Sequence, residues 1–126
     1  MREIHLDTNF LIGVAKHSLP EDTRLRRWLR DRIAIRTSTV AWAEFLCGPL
    51  LPEAASSVRA MVGEPIPLTE EDASRAAKLF NATGRRRGSL NDCMIAAIAM
   101  RSAAGLATND SAHFTRYVSL GLAIAG

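Results

Sequence analysis

The spacing of apolar residues changes several times along the chain, and each change predicts a new secondary-structure element. Residues 2–6 alternate between polar and apolar, with Ile4 and Leu6 on one side, and predict a first β-strand. Ile33 and Ile35 mark a short second strand. Helical spacing in this half predicts four helices: residues 9–16, a helix that begins at Leu19-Pro20 with Leu25, Trp28 and Leu29 as its apolar stripe, a helix capped by Ser38 or Thr39 that stops at Gly48-Pro49, and residues 52–62.

The second half of the chain continues this alternation of helices and extended segments. The segment EPIPL, residues 64–68, predicts a brief extended piece, because its prolines suit an edge strand or a connector. Thr69 and Asp72 resemble a capping box, with aspartate in place of the usual glutamate. The predicted elements are a helix over residues 70–81, a helix capped by Ser89 that runs to Ala104 and ends at Gly105, a strand at LATN and a strand within YVSLGLAIAG.

Strands separated by helices predict an α/β fold in which a parallel sheet carries helices on its faces. Residues 1–126 contain no internal repeat and no linker rich in Gly, Ser or Pro, so we expect one domain. Binding sites in such sheets gather at the carboxyl ends of the strands. Asp7 and Asp110 follow predicted strands and are therefore expected at that edge.

Composition and cysteine content are those of an ordinary globular protein. Cys47 and Cys93 lie among apolar residues, which predicts buried free thiols in a reducing compartment. The chain opens on a strand pattern rather than on a signal peptide, and no uncharged run is long enough to cross a bilayer. We therefore expect a cytoplasmic protein that does not contact the membrane.

The charge distribution adds a preference for an anionic partner. Sixteen basic and thirteen acidic residues leave a net charge of +3, and all the basic residues except Lys16 and Lys78 are arginines. Arginine suits planar, two-point contact with phosphate, so one interpretation is nucleic-acid binding and the other is a solvated helix face with a basic loop. The clustered arginines are Arg24, Arg26, Arg27, Arg30, Arg32 and Arg36, and then Arg85, Arg86 and Arg87.

Four acidic residues are candidates for chemistry, and three of them also have a simple structural role available. Asp7 could cap the first helix, and Asp110 could cap a short helical turn. Asp92 lies in a first helical turn, where a negative charge stabilises the helix by roughly 0.3–1 kcal/mol. Glu44 has no basic residue three or four positions away, so we expect a positively charged group elsewhere in the fold to meet it.

A cluster of these four carboxylates would require neutralisation. Two unit charges about 4 Å apart repel by roughly 4 kcal/mol at an effective dielectric constant near 20. An all-oxygen site favours Mg²⁺ or Mn²⁺ over Zn²⁺, and such ions activate water for displacement at phosphorus. The remaining nine acidic residues against sixteen basic ones leave a net charge of +7, which attracts a polyanion. Acids surrounded by arginines in this way indicate a nuclease.

Four sequence segments carry a resemblance to a known family. LDTNFLI contains Asp7, STVAWAEFLCG contains Glu44, NDCMIAA contains Asp92, and LATNDSAHF contains Asp110. Together they resemble, in the same order, the four motifs of PIN-domain ribonucleases of the VapC toxin type, and the resemblance covers essentially the whole chain.

This resemblance implies a fold, an activity and partners. The fold is a PIN-like three-layer α/β/α sandwich around a mainly parallel sheet of about four or five strands, and the protein is a homodimer. The activity is RNA cleavage that depends on Mg²⁺ or Mn²⁺, as the toxin of a toxin–antitoxin pair. An antitoxin blocks the acidic pocket with its C-terminal segment. The implied metal ligands and catalytic residues are Asp7, Glu44, Asp92 and Asp110.

Several further residues have expected supporting roles. Asn91 departs from the family pattern, which commonly has a small or apolar residue before the third acid, and it could be a ligand, a substrate contact or a surface residue. His113-Phe114 is predicted to serve packing and local hydrogen bonding. Asn9, Ser38 and Thr108 are expected to orient water or ligands, and Arg85, Arg86 and Arg87 to contact the RNA backbone.

Two other functions compete with the nuclease interpretation. A non-catalytic module would use the basic helices to hold RNA or a protein, and its binding would need no metal. A small phosphohydrolase would use the same acids on a small molecule, but the chain has no Gly-rich phosphate cradle of the P-loop kind.

Overall fold

The computed structural model describes all residues from Met1 to Gly126 and has a four-stranded parallel sheet at its centre. Its strands are β1 (Glu3–Leu6), β2 (Ala34–Arg36), β3 (Gly105–Ala107) and β4 (Ala123–Ile124). Their order across the sheet is β2-β1-β3-β4, so the N-terminal strand is flanked on both sides. The predicted α/β architecture is confirmed, with four strands, all parallel.

Helices occupy most of the chain between the strands. No helix combines the length and the apolar character that crossing a bilayer requires. The helices are α1 (Thr8–Ala15), α2 (Leu19–Arg30), α3 (Thr39–Leu46), α4 (Pro52–Val62), α5 (Glu70–Ala82), α6 (Leu90–Arg101) and α7 (Ser111–Phe114), followed by a 3₁₀ helix, Thr115–Leu120.

Two of the predicted helix caps are present in full. The N–H of Ala41 donates to Ser38 Oγ at 3.1 Å and so begins α3. At the start of α5, the N–H of Thr69 donates to Asp72 Oδ2 at 3.0 Å, and the N–H of Asp72 donates to Thr69 Oγ1 at 3.1 Å. Aspartate therefore completes the capping box in place of glutamate.

The EPIPL segment contributes one bridge at the edge of the sheet rather than a full strand. Ser38 and Ile66 form an isolated parallel bridge, in which the N–H of Thr39 donates to Ile66 O and the N–H of Ile66 donates to Thr37 O, both at 2.9 Å. Both neighbours of Ile66 are prolines, which have no N–H to donate. The pairing therefore stops after one residue.

One hydrophobic core of 25 buried residues joins the sheet to the helices. α1 packs against α2, α3 and α4, and α5 packs along α6. The buried residues of α6 include Cys93 and every position from Ile95 to Ala99. This burial agrees with the continuous apolar sequence of residues 93–100.

The end of α6 differs from the prediction. The helix ends at Arg101 and not at Ala104, because Ala103 takes a left-handed backbone conformation with φ of 52°. The N–H of Ala104 then donates to Ala99 O at 2.9 Å and closes the helix terminus. Gly105, the expected stop signal, instead opens β3 and is buried there. An alanine thus supplies the turn that the sequence assigns to a glycine.

The two cysteines also separate. Cys93 is buried as predicted, whereas Cys47 is exposed. The buried residues of α3 are Ala41 and Phe45, and Cys47 follows Phe45 by two positions. That spacing places the thiol on the other side of the helix axis, away from the core.

We predict that Asp72 stabilises the fold through its charge. Asp72 is buried, and Arg101 Nε lies 2.9 Å from its Oδ1. Burial alone would raise the pKa of Asp72, but the hydrogen bonds from Arg101 and Thr69 outweigh it and hold that pKa below its ordinary value. Asp72→Asn is expected to cost about 1–2 kcal/mol of unfolding free energy at pH 7, measured by urea denaturation.

The sign of this effect fixes its pH dependence. A lowered carboxyl pKa stabilises the fold above the unfolded-state value and loses that contribution as pH falls through the folded-state value. The difference between wild type and Asp72→Asn should therefore shrink at pH 3. Asp22→Asn is the matched control. It removes the carboxylate that lies 3.0 Å from exposed Arg26, and Asp22 is itself more exposed than Asp72. Its expected cost is below about 1 kcal/mol. Equal costs for the two variants would contradict the assignment.

Candidate active site

Parallel pairing brings two of the candidate acids to the same edge of the sheet. Asp7 directly follows β1, and Asp110 follows β3 by three residues. The register pairs Leu6 with Ala107, and the N–H of Asp7 donates to Ala107 O at 3.0 Å. Both acids therefore leave the sheet at its carboxyl end, where ligand sites form in such folds.

All four predicted acids line one cleft. The cleft has a volume of roughly 140 Å³ and is predominantly polar. α3 supplies Glu44 and the first turn of α6 supplies Asp92. The other residues that line it are Thr8, Asn9, Ile95, His113 and Phe114. Four segments that are distant in sequence thus converge on one small volume.

Asp7 both caps a helix and contributes a charge to the cleft. The N–H of Phe10 donates to Asp7 Oδ1 at 2.8 Å, which begins α1. Only 3% of Asp7 is exposed. Burial raises the pKa of Asp7 to about 6, against hydrogen bonds from Thr108 and Phe10, and the charges of Asp92 and Asp110 act with burial. The two predicted roles of Asp7 are therefore compatible, because the same carboxylate caps α1 and lines the cleft.

Glu44 meets neutral donors rather than the positive group expected from the sequence. Thr8 Oγ1 donates to Glu44 Oε1 at 2.8 Å, and Asn91 Nδ2 donates to Glu44 Oε2 at 3.3 Å. Glu44 is half-buried and forms no ion pair. Two hydrogen bonds and partial contact with solvent compensate the charge of Glu44 within the chain, and a bound cation would be the positive group expected from the sequence.

Asp92 is half-buried in the first turn of α6 and lines the cleft together with the other acids. Burial raises its pKa, and the charge of Glu44 raises it further. The positive charges of His113 and Arg116 lower it, and Asp110 adds a smaller upward contribution. Two of the four acids thus have raised pKa values for the same two reasons, loss of water and repulsion by neighbouring carboxylates.

Asp110 is held by the segment that follows β3. Its N–H donates to Thr108 Oγ1 at 2.9 Å, and its Oδ2 lies 3.0 Å from His113 Nδ1. Its side chain does not cap α7, although Asp110 occupies the N-cap position. His113 thus contacts a carboxylate of the cleft, while its neighbour Phe114 is buried, as the predicted packing role requires.

Sequence reasoning missed Thr8 and underestimated His113. Thr8 lies between Asp7 and Asn9, and only its place in the LDTN motif could have drawn attention to it. His113 stands one helical turn after Asp110, which is the spacing for a side-chain pair. Because the imidazole of His113 lines the cleft, the set of donors there is not purely oxygen.

The predicted supporting residues divide into two groups. Asn9 lines the cleft and Asn91 contacts Glu44. Thr108 is buried behind the cleft and holds Asp7 and Asp110. Ser38 is buried and caps α3, and it does not line the cleft.

The three arginines of the loop after α5 also separate. Arg86 and Arg87 line a second cleft that adjoins the first. Arg85 points back to α5, where its guanidinium donates to Asn81 Oδ1 and lies 5.3 Å from the centre of the Phe80 ring. The loop therefore presents two cationic side chains next to the acids and keeps the third away.

The donor set fits a hard divalent cation. No three acidic, histidine or cysteine side chains converge closely enough to enclose an ion by themselves. Mg²⁺ typically takes only one or two carboxylates and keeps several waters, so this open arrangement suits it. The raised pKa values of Asp7 and Asp92 indicate negative charge that a cation would neutralise. The residues that could hold such an ion are Asp7, Glu44, Asp92 and Asp110.

A family model decides the wider classification. The model of the PIN domain matches residues 4–119. The chain belongs to the PIN domain family. PIN domains are nucleases that generally use divalent metal ions. Among curated proteins, no sequence matches this PIN domain.

Solved structures share the fold of this PIN domain over almost its entire length. VapBC2 from Rickettsia felis, bound to a DNA fragment from its promoter, is similar with a TM-score of 0.78 and 22% identity, over 98% of this chain and 97% of that one. VapBC-1 from nontypeable Haemophilus influenzae has a TM-score of 0.69 at 21% identity, over 98% and 96%. FitAcB from Neisseria gonorrhoeae has a TM-score of 0.68 at 22% identity, over 98% and 96%.

We predict that the charge of Asp7 destabilises this PIN domain when divalent cations are absent. A carboxyl group whose pKa is raised on folding begins to destabilise the folded state as pH rises above its unfolded-state pKa, and the penalty is complete above its folded-state pKa. Asp7→Asn keeps a good helix cap and removes the charge. In EDTA at pH 8 the variant should therefore be more stable than the wild type by roughly 2–3 kcal/mol, measured by urea denaturation.

The advantage of Asp7→Asn should shrink as pH falls from about 6 to 4 and disappear below about pH 3, where the wild-type carboxyl group is protonated in both states. Asp31→Asn is the matched control, because Asp31 is exposed and forms no ion pair; its effect should lie within about 0.5 kcal/mol. A stability difference that does not change with pH would show that the cost does not come from ionisation.

Proposed function

We propose that this PIN domain is a metal-dependent endoribonuclease and the toxin of a toxin–antitoxin pair. One observation carries the proposal: Asp7, Glu44, Asp92 and Asp110 line a single cleft with few apolar neighbours. The one lining side chain that can be cationic is His113, and it is paired with Asp110. This concentration of negative charge suits a cation more than it suits a bare phosphate.

The four acids have different tasks in this proposal. Asp7 and Asp92 are ionised at the greatest cost, so a bound ion stabilises them most. Glu44 and Asp110 complete the ligand set from the open side of the cleft. When bound, Mg²⁺ or Mn²⁺ supplies a water of lowered pKa and offsets the charge of the phosphodiester.

Neutral side chains of the cleft orient these acids. Thr8 holds Glu44 Oε1, while Oε2 has only the 3.3 Å bond from Asn91. Glu44 Oε2 is therefore the weakly held oxygen that can accept a proton from the attacking water. Thr108 Oγ1 fixes Asp110 by accepting a hydrogen bond from the Asp110 backbone N–H. The acids are thus positioned by neighbours that carry no charge of their own.

Charge outside the cleft supports RNA as the substrate. The chain has sixteen basic and thirteen acidic residues, and four of the acids belong to the cleft. The remaining surface is basic and attracts a polyanion toward an acidic centre that would otherwise repel it. This function would place the protein in the cytoplasm, with the cellular RNA.

Two protein partners belong to this proposal. VapBC2 and VapBC-1 carry the name of a toxin–antitoxin complex. We propose that this chain likewise binds a cognate antitoxin, whose C-terminal segment blocks the acidic cleft, and that it forms a homodimer. Exposed apolar residues on the surface, Leu46 at 51% and Leu51 at 72%, are consistent with partner contacts.

The first test is cleavage of pooled cellular RNA by wild type and by Asp92→Asn, with Mg²⁺, with Mn²⁺ and with EDTA. We expect cuts that require a divalent ion and that fall at least about 100-fold in the variant, while its circular dichroism and RNA affinity are retained. The measurement is the rate of fragment appearance on a sequencing gel.

Asp31→Asn makes the same chemical change at an exposed position and should cut as the wild type does. If the folded wild type makes no cuts and both proteins bind RNA equally without metal, the protein is a binding module instead. Steady hydrolysis of a small phosphate ester without RNA cleavage would indicate a phosphohydrolase.

The homodimer has a separate test. The chain has a mass of 13.7 kDa, so sedimentation equilibrium of the purified protein without antitoxin should return about twice that value. A monomer at micromolar concentration would contradict this part of the proposal and leave the nuclease site unaffected.

A further inference from the structure

A second cleft adjoins the acidic one and carries the opposite charge. It has a volume of roughly 320 Å³, and no apolar residue lines it. Asp92 and His113 belong to both clefts, so the two form one continuous depression. The side chains that make the second cleft basic are Arg86, Arg87 and Arg116.

A turn with defined geometry holds two of these arginines. Ser89 donates to Arg86 O through its backbone N–H at 3.1 Å and through its hydroxyl at 2.8 Å. Gly88 has φ of 82°, as the third residue of a type II turn requires. Ser89 was expected to cap α6, and it occupies that position, but its side chain closes this turn instead. These two hydrogen bonds to Arg86 O fix the loop against the start of α6.

The three guanidinium groups of the second cleft have no partner within the chain. None of them forms an ion pair with an acidic residue. Arg116 only lies beside the Tyr117 ring, 6.0 Å from its centre. Arg85, in contrast, is engaged by Asn81 and Phe80. Three unpaired guanidinium groups in a polar cleft suit a phosphate group, because a planar guanidinium can donate two parallel hydrogen bonds to phosphate oxygens.

We propose that Arg86, Arg87 and Arg116 form a phosphate subsite for the substrate strand. It binds a phosphate that neighbours the scissile one, while the scissile phosphate lies in the acidic cleft. This inference rests on the proposed nuclease function, because the shared residues Asp92 and His113 link the two clefts. The subsite reads the charge of the backbone and not the bases, so it positions the strand without selecting a sequence.

The two clefts together resolve an electrostatic conflict. Four carboxylates repel an incoming polyanion, and a phosphate anchored next to them offsets that repulsion. Binding at the second cleft then holds the strand over the acids, which raises the effective concentration of the scissile bond. Because the contact is made to a phosphate that does not react, it acts equally on the bound substrate and on the transition state.

The test measures the affinity of a short single-stranded oligoribonucleotide in EDTA as salt is varied. Each phosphate contact in a single strand contributes about 0.7 to the slope of log K against log salt concentration. Arg116→Gln and Arg86→Gln are each expected to lower the slope by about that amount. Arg85→Gln removes the same charge from the same loop outside the cleft, and it should leave the slope unchanged.

Kinetics supply a second readout. In the presence of Mg²⁺, Arg86→Gln should raise KM several-fold on the oligonucleotide with kcat unchanged, since uniform binding is lost. On a dinucleotide with a single phosphodiester and no other phosphate, wild type and variant should be equal. Equal slopes for all arginine variants would overturn the subsite, and so would an equal loss on both substrates.

Failure of the subsite is distinct from failure of the nuclease proposal. If the wild type makes no metal-dependent cuts, the nuclease proposal fails; if it cuts and Arg116→Gln behaves as Arg85→Gln does, only the subsite fails. Binding of an oligo-glutamate peptide that is lost in Arg116→Gln, with RNA slopes unchanged, would assign the cleft to an acidic protein segment and overturn the RNA subsite. Circular dichroism confirms folding, and exposed Arg86 provides a variant that leaves the core intact.

Discussion

The parallel pairing of β1 with β3 is the constraint on which the site depends. Ile4 lies opposite Gly105 and Leu6 opposite Ala107, and this register makes the chain leave both strands at one edge. The acids that follow the two strands must then be neighbours, whatever their charges. The fold imposes the proximity, and a cation or a proton has to relieve it.

Asp7 concentrates the opposing demands on one side chain. One of its oxygens accepts the N–H of Phe10 and begins α1, which stabilises the fold. The same carboxylate is buried beside Asp92 and Asp110, which destabilises its charged form. An asparagine could also cap the helix, and an apolar residue could be buried at lower cost, but neither would offer a carboxylate to a cation. The acid at this position therefore costs stability, and it fits the proposed cation site.

The local sequence predicted the helices and strands well, but it did not predict which distant residues contact the side chains of the site. Thr69 with Asp72, and Ser38 before α3, act within three residues, so spacing alone identified them. The end of α6 was wrong, because Ala103 adopts the left-handed conformation before Gly105 is reached. The neutral donors to Glu44 could not be predicted, since Thr8 and Asn91 are 36 and 47 positions away. Arg116 was not singled out because only the tertiary fold places it beside Arg86 and Arg87.

The strand order also determines at what point during synthesis the four acids can come together. β1 emerges first from the ribosome, yet one of its two sheet neighbours begins at Gly105, and Asp110 follows still later. Chains are made at about 5–20 residues per second, so the first acid waits seconds for its last companion. A chain truncated before β3 would contain Asp7, Glu44 and Asp92 with nothing to close the sheet around them. The acidic cleft is therefore incomplete throughout elongation and can form only when nearly the whole chain has been made.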